Sequence, residues 1–166
     1  MKMKTLDDLF KDELFDIHYA EKELTKALPK MAEKATDPQL AQGFRDHLKE
    51  TEGQIARIER VYKMLNIDPK TEKCEAILGL IKEAEDLIKH TEEGPVRDAA
   101  MITAAQKVEH YEIASYGSLV ALAKTLGYND AAEVLEETLN EEKKCDEKLS
   151  MLATDHVNSN AMRKAA

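Results

Sequence analysis

Five acidic residues interrupt otherwise apolar helical stripes in this chain. Read at three- and four-residue steps, one stripe runs Phe10, Leu14, Ile17, Glu21, Leu24, Leu28, Met31, and a second runs Ile102, Ala105, Glu109, Glu112, Tyr116, Leu119, Ala123. A third runs Leu135, Leu139, Glu142, Asp146, Leu149, Ala153. Successive residues of an α-helix rotate by about 100°, so the members of such a series share one face and the carboxylates point where the leucines point. A lone ionised carboxylate in an apolar interior costs more than a domain's whole stability, so it must be neutralised by a proton, a cationic side chain or a metal ion. No Lys or Arg interrupts the three stripes, which leaves protons or metal.

A fourth stripe, Leu40, Phe44, Leu48, Ile55, Ile58, Tyr62, leaves Glu50 on its flank, roughly 120° from the centre, with His47 and Gln54 closer in. Two divalent ions bring four positive charges, and Glu21, Glu50, Glu109 and Glu142 bring four negative ones, so the cluster can be buried as a neutral unit. Glu112, three residues after Glu109, can chelate the same ion. Hard carboxylate oxygens with few nitrogens suit two ions of iron or manganese per subunit, with magnesium as a substitute. The candidate ligands are Glu21, Glu50, Gln54, Glu109, Glu112, Glu142 and Asp146. The competing arrangement is a metal-free bundle whose acids hydrogen-bond one another with some of them protonated.

Other polar side chains are weighed against that cluster. Tyr116 is expected to fill the core with its hydroxyl on a carboxylate, and Cys145 to be a small buried hydrophobe or a soft ligand. His47 is open between ligand, orienting partner and surface residue. His18 and His110 fall off their stripes and are expected in solvent or at a subunit contact, whereas His90 and His156 lie near helix C-termini, where a cationic imidazole is favoured.

The elements that must position these residues are helical. Thr5 can cap a first helix that fades near Ala35, with Pro29 kinking its last turns. Asp37-Pro38 opens a second helix running to about Asn66. From Ile67 to Glu93 the chain is long enough for a full crossover, with Ile77, Ile81, Ala84 and Ile88 making a short amphipathic helix that ends around His90. A third long helix runs from Pro95 to Leu126 with Gly127 as its C-terminal cap, and Asn129 or Asp130 caps a fourth running to about Thr154. The polar tail from Asn158 is expected to fray. Two tight hairpins joined by one long crossover are a layout of ferritin-like four-helix bundles.

Composition agrees. The 166 residues suit one domain, and 6 Gly and 4 Pro against 34% charged residues suit an all-helical one. A net charge of −9 argues against nucleic acid or an anionic membrane as partner. The first residues lack the apolar core of a signal peptide, no stretch is apolar enough to span a membrane, and Cys74 and Cys145 match no metal-finger or redox spacing. A cytoplasmic protein with reduced thiols is expected.

Particular runs carry a resemblance. Ala20-Glu21-Lys22, His47-Leu48-Lys49-Glu50-Thr51 with Gln54-Ile55, the long run Gln106-Lys107-Val108-Glu109-His110-Tyr111-Glu112-Ile113-Ala114-Ser115-Tyr116, and Leu139 with Glu141-Glu142-Lys143 are similar to the YciF/YciE group of bacterial stress-associated proteins in the ferritin-like superfamily. The similarity covers nearly the whole chain. It implies a ferritin-like bundle, a homodimer, a cytoplasmic stress role and a dinuclear metal site. In the reading of the stripes, Glu21 and Glu109 anchor, Glu142 bridges, and Glu50 and Glu112 complete the set. Fe(II) oxidation or peroxide consumption is the activity expected of such a site. The rival is a non-enzymatic bundle acting through protein partners, and a storage cage finds no feature to build its shell. The chain departs from the superfamily pattern of Glu followed by His at i+3: Gly53 stands there after Glu50 and Cys145 after Glu142, with His47 available to substitute in one half only.

Overall fold

The computed structural model of the chain describes residues 2–163. Among these residues every regular element is helical: α1 (Leu6–Lys34), α2 (Pro38–Leu65), α3 (Glu75–Lys89), α4 (Pro95–Leu126), α5 (Asn129–Leu152), and, after a π-helical turn at Ala153–Val157, α6 (Asn158–Arg163). The starts of the first two helices are chemically defined. Thr5 Oγ1 accepts from the Asp8 amide and Asp8 Oδ2 accepts from the Thr5 amide, a reciprocal capping box. Asp37 Oδ1 accepts from the amides of Gln39 and Leu40, and Pro38 takes the first helical position. At the end of α4, Gly127 adopts φ 78°, the left-handed conformation that closes a helix with least strain in glycine.

Helix α1 packs on α2, α2 on α5, α5 on α4, and α4 on α1, a closed ring of four; α3 lies outside it against α4 and α1. The directions follow from hydrogen bonds between helix starts. Asp98, in the first turn of α4, is buried and accepts from the amides of Thr36 and Asp37 at 2.7 and 2.9 Å, so α4 begins where α2 begins. Tyr128, before α5, donates to Asp7 at the start of α1 at 2.8 Å. Thus α2 and α4 run parallel, α1 and α5 run opposite to them, and α3 carries the chain back along the bundle. This is the ferritin-like layout with a helix in its crossover. No helix among the described residues is long and apolar enough to cross a membrane.

Several local expectations are corrected. Neither Asn129 nor Asp130 caps α5; Tyr128 occupies the cap position, its side chain makes no capping hydrogen bond, and Asn129 is the first helical residue. The polar stretch from Asn158 does not fray up to Arg163, because Val157 is buried and His156 Nε2 lies 2.6 Å from Asp37 Oδ2, tying the turn to the start of α2. His18 is buried, not solvent-facing. Its ring meets Tyr62 edge-on at 5.3 Å in the α1–α2 seam. Helix α1, by contrast, ends where expected, running through Pro29 to Lys34 with Ala35 as its cap.

Candidate metal centre

The apolar stripes do carry carboxylates inward. Glu21, Glu112 and Glu142 have no exposed surface and Glu109 is 2% exposed. Helix α2 differs from its expected stripe: its buried series is Leu40, Phe44, His47, Thr51, Gln54, Ile58 and Val61, while Leu48 and Ile55 are only partly covered. The polar middle of that helix therefore faces the bundle, and its hydroxyl is satisfied locally, Thr51 Oγ1 donating to the His47 carbonyl. Here three polar residues in the middle of an otherwise apolar series were the signal, and counting only apolar positions misses it.

Ligand atoms of His47, Glu109, Glu112 and Glu142 all lie within 4.8 Å of one another, as do those of His47, Glu109 and Cys145. His47 Nε2 is 3.3 Å from Glu109 Oε1 and 3.7 Å from Glu142 Oε2. Glu50 remains half-exposed on the flank, with Oε2 3.3 Å from His47 Nδ1. That contact turns the imidazole so that Nε2 faces the acids, the orienting arrangement common behind metal-binding histidines. Glu112, not Glu50, thus completes the buried set of four carboxylates. Glu21 accepts from the Tyr116 hydroxyl, so the tyrosine fills the core and caps one acid as expected.

Gln54 is placed by a clamp that sequence reading missed. Its Nε2 donates to Glu141 Oε2 at 3.1 Å, while Arg57 grips both Glu141 oxygens at 2.7 Å. The partners are more than eighty residues apart, and nothing in local spacing reveals them. Asp146 is not brought into the cluster. It lies in the α4–α5 seam, where Gln106 Nε2 and His110 Nε2 reach its oxygens at 3.3 and 3.1 Å, and Cys145 takes the inward position beside Glu109.

Eight buried atoms on these side chains have no hydrogen-bond partner: Glu21 Oε2, His47 Nε2, Gln54 Oε1, Glu109 Oε2, and both carboxyl oxygens of Glu112 and of Glu142. Buried polar atoms are normally satisfied, and a shared vacancy among acceptors calls for a cation or protons. Electrostatics gives the same answer. Burial, then the Glu142 charge, pushes the Glu21 carboxyl up to about 8 despite the Tyr116 hydrogen bond. Burial and Glu142 hold Glu109 well above the usual carboxylate range, and burial with Glu142 and Glu21 does the same to Glu112. For His47, burial favours the neutral ring, but Glu50, Glu142 and Glu21 outweigh it and raise its pKa. The donor set, four carboxylates with one imidazole and one amide oxygen, fits hard divalent ions such as iron or manganese.

Residues 5–162 match the family described as Domain of unknown function (DUF892). The chain belongs to that family. Within the DUF892 proteins it is 53% identical to Protein YciF of Escherichia coli (strain K12) over 166 residues, covering 99% of this chain and 100% of that one. The crystal structure of the E. coli stress protein YciF superposes with a TM-score of 0.91 at 54% identity, covering 94% of this chain and 99% of that chain. A Rhodopseudomonas palustris structure named YcfI superposes at 0.86 with 48% identity, covering 90% and 95%. This DUF892 chain is therefore a YciF homologue.

Proposed function

We propose that this protein binds two iron or manganese ions in its bundle core and serves the bacterial stress response, oxidising Fe(II) or consuming peroxide. The observation that carries the reading is the set of eight partnerless buried atoms, all on residues able to ligate. Glu21, Glu109, Glu112 and Glu142 would hold the ions, and their four charges would balance two divalent cations. His47 would add a nitrogen, directed by Glu50, and Gln54 Oε1 an oxygen, directed by Glu141 and Arg57. Bound iron or manganese supplies a one-electron couple and a Lewis acid at such a site. Tyr116 would hold the Glu21 carboxylate in place through its hydroxyl. The stress role comes from the E. coli relative, which is described as a stress protein.

Elemental analysis of protein purified without chelator, with Glu112→Gln alongside, tests the reading. About two ions per chain in the wild type, lost in the variant, support it. A second reading has one specific observation in its favour: the raised carboxyl pKa values allow a metal-free core in which protons shared between Glu21 and Glu112 and between Glu109 and Glu142 neutralise the acids. Wild-type protein that stays metal-free in excess Fe(II) or Mn(II) selects it. A homodimer, implied by the YciF likeness, is checked by light scattering.

A further inference from the structure

On the side of the acid cluster toward the α1–α2 turn, the bundle contains a cavity of about 130 Å³ that reaches the cluster at one end. Its walls come from α1, α2, α3, α4 and α5 and are mostly apolar, with Leu24, Met31, Phe44, Val108 and Leu149 among them. Its floor is polar: His47, Glu109 and Cys145 line it, and these are the three whose ligand atoms gather within 4.8 Å. His47 and Glu109 are 4% and 2% exposed, and His47 Nε2 and Glu109 Oε2 have no hydrogen-bond partner. The space is close in size to the engineered cavity of ~150 Å³ that takes up benzene, which suits a ligand of about six to eight carbons.

We infer that this cavity binds a small aliphatic molecule with a neutral oxygen head group, its chain among the apolar side chains and its head at His47, Glu109 and Cys145. Two charge observations argue against an anionic head. At the rim, exposed Lys30 and Lys148 are outnumbered by exposed Asp46 and Glu85 with half-exposed Glu50, so no positive field recruits an anion. Behind the floor stand Glu21, Glu112 and Glu142, so an anionic head would add negative charge to an already acidic interior. An alcohol or a hydroperoxide meets the floor without that cost. Binding of the chain stands on the cavity alone, whereas the occupant's being a substrate of the acid cluster rests on the metal reading.

The test is calorimetric titration of the metal-free full-length protein with 1-heptanol, 1,7-heptanediol and heptanoate. 1-Heptanol is expected to bind saturably at one site per chain. The diol must bury a second hydroxyl among hydrocarbon, and heptanoate must bring its charge to the acids, so each should bind about tenfold more weakly or worse. Gly43 lines the cavity at its exposed mouth, and a Cβ there meets no atom within 4 Å, so Gly43→Leu is expected to fold, obstruct the opening and lose heptanol binding. Gly43→Ala gains the same helix preference with little filling and should stay within about twofold of wild type. Methyl resonances of Val108 and Leu149 should move on heptanol addition in wild type and stay put in Gly43→Leu. No saturable heptanol binding, a diol as tight as heptanol, or unchanged binding in Gly43→Leu overturns the inference. Repeating the titration with Mn(II) separates the two readings: heptanol binding without Mn(II) uptake keeps the cavity ligand and sinks the metal reading, and Mn(II) uptake without heptanol binding does the reverse.

Discussion

The two hairpins of the bundle contribute unequally to its centre. Helices α4 and α5 place three carboxylates there, Glu109, Glu112 and Glu142, whereas α1 and α2 place one, Glu21, together with His47 and the buried amide of Gln54. Each half also handles its polar groups differently. The first half orients them: Tyr116 reaches across to Glu21, Glu50 holds His47, and the Arg57–Glu141 clamp holds Gln54. In the second half, Glu112 and Glu142 carry four oxygens with no partner at all. The difference teaches where the free energy is stored. Charge repulsion in the metal-free protein sits on α4 and α5, and geometric control of the site sits on α2.

The largest effect expected from that asymmetry is on ion affinity. Glu142→Gln removes the carboxylate that raises the pKa of Glu21, Glu109 and Glu112 alike, and should abolish Mn(II) binding by equilibrium dialysis, a loss of more than about a hundredfold. Glu50→Gln touches only the orientation of His47 and should cost about tenfold. Equal losses in the two variants would mean that the halves are not specialised as described.

Next is the pH dependence of the metal-free protein. An acid whose pKa is raised by folding keeps, in the folded state, a proton that the unfolded chain releases near the ordinary value of 4.5, so stability falls as pH rises from there to the folded value, about 8 for Glu21. The slope is about 1.4 kcal/mol per pH unit for each such group. His47 adds to the trend, because its stabilisation is present below 6.5 and is lost as pH passes its raised folded value. Thermal melts in chelator should therefore give a lower Tm at pH 8.5 than at pH 5.5, and saturating Mn(II) should remove the drop. A metal-free Tm that rises over this interval would show that the acids are not mutually repelling. Within the same series, metal-free Glu109→Gln should melt above wild type at pH 8.5, by about 1–2 kcal/mol, and match it near pH 5.5, since one buried charge is gone and the shape is kept.

Much of this was legible before the structure. The bounds of α4, from Pro95 to Leu126 with Gly127 after it, follow from terminal residues whose preferences are local and strong. Glu21, Glu109, Glu112 and Glu142 were legible because apolar neighbours at helical spacing define their face. Helix α2 was harder because half of its inward face is polar, so a stripe drawn through Leu48 and Ile55 points off-centre and leaves His47 undecided. Asp146 sits one turn past Glu142, yet the tight α4–α5 seam offers it His110 and Gln106, and a hydrogen-bonded carboxylate at a half-exposed seam is cheaper than another in the core. The Arg57–Glu141 clamp and the His156–Asp37 tie depend on contacts between distant segments, which helical periodicity does not encode.

The smallest effect is the one that would make the halves alike. Cys145 stands three residues after Glu142 and, with His47 and Glu109, brings its ligand atom into a 4.8 Å group, so it occupies for α5 the place that His47 fills for α2. Burial, then the charges of Glu109 and Glu142, push its thiol pKa up, and a neutral thiol is a poor ligand for hard ions. Cys145→His should add a nitrogen to the acid-rich half and raise Fe(II) affinity several-fold, about threefold to tenfold, with a smaller gain for Mn(II), as the order of divalent affinities predicts. Cys145→Ala should leave both affinities unchanged, because no ligand is lost. The comparison is made by anaerobic titration of the three proteins under the same iron load, with circular dichroism to establish that each is folded. If Cys145→Ala loses Fe(II) affinity while Cys145→His restores it only to the wild-type level, the thiol already ligates in the native protein, and the asymmetry between the hairpins lies in ligand softness instead of ligand number.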